Sequence, residues 1–156
     1  MIEDLEMRDL FKIESNEHLQ QLEDGLLRLE KDPGNTGILE ELFREAHSLK
    51  GSSRMLGQLD IEKVAHRFED ILGRASKGTL PLLPEIIDTM YHCLDSIRKL
   101  VEQALTGLDS GVVVSDVLSL LQQAMDASPL AGQQEQQPPE ALPAVSHESI
   151  PSATSA

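Results

Sequence analysis

The chain has 156 residues, 40% of them hydrophobic, which suffices for one sizeable core-bearing domain followed by a tail. Thirteen Lys and Arg against 27 Asp and Glu leave a net charge of −14, which repels nucleic acid and anionic membrane surfaces at long range. A single cysteine, Cys93, excludes an internal disulfide and any multi-cysteine metal site. The apolar runs fall far short of the ~20 residues of a membrane span. The N-terminus Met1-Ile2-Glu3-Asp4-Leu5-Glu6 is acidic rather than a basic signal peptide, so the chain reads as cytoplasmic, with no membrane insertion.

From about Asp4 to Glu30, Phe11, Leu19, Leu22, Leu26 and Leu29 line one side of a helix. Lys31-Asp32-Pro33-Gly34-Asn35 ends it, because proline disfavours a helical Asp32 and glycine offers a turn. His18 falls at the edge of this stripe and is expected to hold a local hydrogen bond. A second helix runs from about Gly37 to Leu56, capped by Asn35 or Thr36 and stopped by Gly57, with Ile38, Leu42, Ala46, Leu49, Ser53 and Leu56 inward. Asp60 is expected to cap a third helix that reaches about Lys77 before Gly78, burying Ile61, Val64, Phe68, Ile71, Leu72 and Ala75. Pro84 can start a fourth, whose seam of Ile87, Met90, Leu94, Ile97, Val101 and Leu105 alternates spacings of three and four, the pattern of a bundle helix.

After Thr106 to Gly111, a shorter fifth helix extends to about Asp126, with Val114, Val117, Leu118, Leu121 and Met125 inward. No stretch alternates at period two, so the expected fold is all-α: an antiparallel bundle of five helices over residues 1–126, with no sheet. From Ala127 to Ala156 the chain turns to Pro, Gln, Ser and Ala and holds five of the eight prolines. Such a segment buries too little apolar surface to offset its ordering entropy and reads as a disordered linker or tail, which points to a fragment of something longer.

The chemistry concentrates on the second helix. At about 100° per residue, His47, Lys50, Gly51 and Arg54 share one narrow face, opposite Ala46, Leu49, Ser53 and Leu56, so the imidazole points to solvent. Phe43 lies one turn before His47, which places a large apolar ring close to the histidine and suggests docking. His66 projects away from the buried face of the third helix, and Glu69 lies where core meets solvent. Neutral imidazole is a competent nucleophile near pH 7. Lys50 can pair with anionic oxygens, Gly51 removes bulk where a partner must approach, and Glu69 can accept a hydrogen bond from one ring nitrogen of His47. That bond would fix the tautomer and leave the other nitrogen free to attack. On the residues alone, the same face is equally an ordinary solvated helix surface.

The run His47-Ser48-Leu49-Lys50-Gly51, with His66 19 residues and Glu69 22 residues after the histidine, resembles the histidine phosphotransfer (HPt) domain at the N-terminus of CheA-type chemotaxis histidine kinases. The resemblance covers roughly residues 4 to 126 and implies a four-helix HPt core plus a shorter fifth helix. It implies that His47 is phosphorylated, that Glu69 is its hydrogen-bond partner, and that Lys50 and His66 support transfer. Gly51 matches the family's glycine after the lysine. The implied partners are a kinase ATP-binding domain as donor and the receiver domain of a response regulator as acceptor. ATP and magnesium would be bound outside this chain, which needs no cofactor of its own, would act as a substrate domain rather than a self-sufficient enzyme, and would be monomeric. Where relatives continue with small residues, this chain has Ser52-Ser53-Arg54-Met55, a bulkier and more positive docking surface that includes Arg54.

Three rivals remain at this level. A free phosphorelay shuttle would exchange phosphate between receiver domains; His66 and Glu69 favour the CheA type. A metal site could use His47, His66 and Glu69, since two imidazoles and a carboxylate can bind zinc. A helical adaptor would make the cluster around His47 coincidental.

Overall fold

The computed structural model describes residues 1–127. Its elements are five helices: α1 (Leu5–Lys31), α2 (Thr36–Met55), α3 (Leu59–Ser76), α4 (Pro84–Thr106) and α5 (Val114–Asp126). No strand occurs among the described residues, as the absence of period-two alternation predicts. The disordered tail expected over residues 127–156 lies, apart from Ala127, outside the described residues. Among the described residues no helix is long and apolar enough to cross a membrane.

Helix ends follow local chemistry. The Asp4 carboxylate accepts from the Met7 amide at 3.0 Å, and the Asn35 side chain accepts from the Ile38 amide at 3.1 Å, so each satisfies an orphan donor of a first turn. Pro84 stands in the first turn of α4, where its missing N–H costs nothing. The expectation for α3 is corrected: its N-cap is Gln58, without a side-chain cap bond, and Asp60 lies inside the first turn. The cause is Gly57, whose φ of +69° turns the chain so sharply that the helix resumes at Leu59. Asp60 and Glu62 then act as charges at the positive helix end rather than as caps.

In the bundle, α1 packs on α2 and α4, α3 packs on α2 and α4, and α5 covers α3 and α4. The result is an antiparallel four-helix ring with a shorter fifth helix outside it, the architecture the apolar periodicities imply. One continuous core runs through the ring. The expected positions of α1 (Phe11, Leu19, Leu22, Leu26 and Leu29) are all buried in it. Leu56, Ala75, Leu105, Val114 and Leu118, expected fully inward, are only partly buried, because each lies near the end of a helix or on the outer fifth one. The N-terminal segment adds an anchor that periodicity does not reveal: Ile2 is buried, and its amide donates to the Ala104 carbonyl at 2.9 Å. Cys93 is wholly interior, and burial pushes its thiol up, away from the reactive thiolate.

Candidate functional site

The link between α2 and α3 is only Leu56, Gly57 and Gln58, so these helices run antiparallel in tight register. Counting from Gly57, His47 lies ten residues back and Glu69 twelve forward, about 15 and 18 Å along their axes at 1.5 Å per residue. The turn therefore brings the two side chains level with each other. The imidazole Nδ1 is 2.9 Å from Glu69 Oε2. An ionised carboxylate can only accept, so the shared proton sits on Nδ1 and the lone pair of Nε2 is left free. The His47 side chain is 64% exposed while that of Glu69 is only 12% exposed. A nucleophilic nitrogen is thus presented to solvent by a carboxylate held in the protein.

Lys50 completes the cluster, in a different way from that expected. Its Nζ lies 3.0 Å from both oxygens of Glu69, and its side chain is only 21% exposed. The ammonium balances the buried carboxylate and packs its stem against the protein instead of reaching into solvent. Phe43 is likewise not the exposed aromatic expected. It is half-buried against the core, one edge lies over α3 at Gly73, and its ring stacks on the imidazole of His47 with centroids 6.3 Å apart and planes 12° from parallel. A shallow cleft of about 360 Å³, lined by Glu40, Phe43, Arg44, Gly73, Ser76 and Lys77, opens beside it.

The remaining candidate residues divide. Nothing lies within 4 Å of where a Cβ on Gly51 would stand, so the surface beside His47 is open. Arg54, 78% exposed, reaches only to 3.8 Å of Glu62. His66 is not brought into the cluster: it makes no hydrogen bond or ion pair with His47, Lys50 or Glu69, and its Nε2 stands 3.9 Å from Asp70 on its own helix, beyond hydrogen-bond range. The metal alternative fails on the same ground, since among the described residues no three His, Cys, Asp or Glu side chains are gathered to hold an ion. His18 is also corrected. Its partner is Glu45 on α2, at 2.6 Å from Nδ1, rather than a local group. Glu45 falls on the opposite side of α2 from His47, and only the packing of α1 on α2 brings it to His18.

Comparison with known proteins agrees with this geometry. The family model described as Hpt domain matches residues 6–111. The chain is 34% identical over 119 residues to chemotaxis protein CheA of Listeria monocytogenes, covering 74% of this chain and 19% of that protein. It is 34% identical over 113 residues to chemotaxis protein CheA of Bacillus subtilis, covering 72% and 17%. Among solved structures, the CheA phosphotransferase domain from Thermotoga maritima matches with a TM-score of 0.62 and 32% identity, over 65% of this chain and 96% of that one. The phosphorylated P1 domain of CheA3 from R. sphaeroides, solved in complex with CheY6, matches with a TM-score of 0.68 and 28% identity, over 77% and 95%. The chain belongs to the Hpt domain family. Within it, the chain is homologous to the N-terminal phosphotransfer domains of CheA, and it spans less than a fifth of the length of these two curated relatives.

Proposed function

We propose that this chain is the phosphoacceptor module of a CheA-type histidine kinase, in which His47 receives a phosphoryl group from an ATP-binding kinase domain and passes it to an aspartate of a response-regulator receiver. The observation that carries the reading is the exposed imidazole whose Nδ1–H is held at 2.9 Å by the sheltered Glu69 carboxylate. In the first step the Nε2 lone pair forms a bond to the γ-phosphorus, the bond from phosphorus to the bridging oxygen breaks, and ADP leaves with the electron pair. The ring gains positive charge, which Glu69 offsets at Nδ1. In the second step a carboxylate oxygen of the receiver bonds to phosphorus, the P–Nε2 bond breaks, and the imidazole recovers its lone pair.

Lys50 is one rotamer from the phosphoryl oxygens and can shift part of its charge from Glu69 to them as they arrive. Gly51 and Arg54 border the surface that a partner covers. ATP and its magnesium belong to the donor domain, which places the reaction in the cytoplasm. The CheY6 complex of the related CheA3 P1 domain supports a receiver as acceptor, and the kinase relatives support the donor.

Incubation with a cognate kinase domain and ATP should give an acid-labile, base-stable phosphate on this chain. His47→Gln should abolish it; full labelling of that variant would sink the reading. If only a phosphorylated receiver, and no ATP-binding domain, can charge His47, the free shuttle is the better description.

A further inference from the structure

We infer that Phe43 is a positioning residue for the phosphoryl-transfer step, holding the plane of the His47 imidazole, rather than simply part of the surface on which a partner docks. The inference rests on the phosphoacceptor reading and deepens it.

The argument starts from what one hydrogen bond can fix. The bond from Nδ1 to Glu69 Oε2 pins a single ring atom, and a 64% exposed side chain has few other contacts to restrain it. The imidazole therefore retains a rocking freedom about that bond, which sweeps Nε2 across the surface. A contact with the face of the ring removes this freedom. Phe43, one turn earlier on the same side of α2, supplies it: the planes lie 12° from parallel, and a centroid distance of 6.3 Å marks an offset stack rather than a full sandwich.

Phe43 can hold the imidazole because it is itself held. It is packed against the core on one side, and its Cε2 lies 3.5 Å from where a Cβ on Gly73 would stand, so its far edge rests over α3. Both restraints on His47 thus lead back to α3, one through Glu69 and one over Gly73. Narrowing the arc swept by Nε2 raises the fraction of encounters that meet phosphorus in line.

A small donor separates positioning from docking, because phosphoramidate has no protein surface to dock. Nε2 bonds to its phosphorus, the P–N bond breaks, ammonia leaves with the bonding pair, and Nδ1 keeps its proton. Labelling at His47, located by mass spectrometry of its peptide, should fall about three- to tenfold in Phe43→Leu and stay within about twofold of the parent in Phe43→Tyr, which keeps a flat ring. An unchanged rate in Phe43→Leu, with slower charging only by the kinase domain, would make Phe43 a docking residue and overturn the inference. Nitrogen-15 spectra supply a second readout. The Nδ1 proton of His47 should exchange with water several-fold faster in Phe43→Leu, and equal exchange speaks against positioning. If the leucine variant melts near the assay temperature, the parent decides: cross-relaxation between the Phe43 and His47 ring protons is required, and its absence rejects the stack. Should the parent itself take no phosphate at His47 from either donor, the phosphoacceptor reading fails instead.

Discussion

Glu69 serves two cations at once, and this sets what its neighbours are worth. One oxygen accepts from the His47 ring, and the carboxylate pairs with Lys50 at 3.0 Å while largely shielded from water. Removing Lys50 leaves that charge with one partner, so Lys50→Met should cost about 1–3 kcal/mol in chemical denaturation. Arg54→Met should stay within about 0.5 kcal/mol, because its pair with Glu62 is long and its side chain is in solvent. Equal costs for the two would show that the Lys50 pair is no better than a surface contact. Glu69→Gln should slow charging of His47 by ten- to a hundredfold in a folded protein, since an amide oxygen still accepts from Nδ1 but cannot offset the charge the ring acquires. A parental rate in that variant would remove Glu69 from the chemistry.

Much of this site is legible in the sequence, for a reason specific to helices. A period of 3.6 fixes which way His47 points, and a glycine-bearing turn of three residues fixes what stands opposite. What periodicity cannot give is the choice a long side chain makes among partners within reach. Lys50 reads equally well as a group aimed at solvent or at Glu69, and His66 reads as a site member although its contact is with Asp70. Glu45 beside His18 is hidden for a related reason, because their separation of 27 residues crosses a helix interface whose register the sequence does not state.

At the scale of elements, helix contacts are set as much by missing side chains as by present ones. Gly25 of α1 lies so close to α2 that an added Cβ would meet Leu42 Cδ2 at 2.1 Å, whereas one on Gly73 of α3 would make an ordinary contact of 3.5 Å with Phe43. Two glycines inside helices should therefore respond to alanine with opposite signs. Gly25→Ala forces α1 away from α2 or Leu42 off its rotamer and should destabilise by about 1–3 kcal/mol. Gly73→Ala should stabilise by about 0.5–1 kcal/mol through helix propensity alone. Thermal midpoints moving in the same direction for both would show that α1 and α2 are not in close contact at Gly25. The misplaced cap of α3 belongs to this scale too. Asp60 has the chemistry of a cap, but Gly57 decides where the helix begins, and its left-handed conformation is not encoded in a capping preference.

For the whole molecule, the net charge of −14 is a poor guide to the surface a partner meets. Between Thr36 and Lys77, the stretch that forms α2 and α3, seven basic residues face seven acidic ones; the rest of the chain carries six against twenty. All the excess negative charge lies outside the helical pair that bears His47. A partner with an acidic, metal-binding pocket is repelled from most of the molecule but not from this pair, so long-range forces favour the productive orientation before contact. The boundary at Ala127 belongs to the same scale. The core is assembled from residues between Ile2 and Met125. Truncation after Ala127 should thus leave the melting midpoint within about 2 °C, where the loss of even one kcal/mol of packing would shift it further. A larger drop would show that the Pro- and Gln-rich segment contributes to the fold.

The link of Leu56, Gly57 and Gln58 also sets a length constraint on how this chain can vary. Because the site is read across two antiparallel helices, one residue inserted there would advance α3 by about 1.5 Å and rotate it by about 100° against α2. Glu69 would leave His47 although no residue of the site had changed. Substitutions on the outer faces of α2 and α3 leave that spacing intact. Variation in this hairpin is therefore free in letters and rigid in count, with the chemistry gauged by a turn ten residues away from the nucleophile.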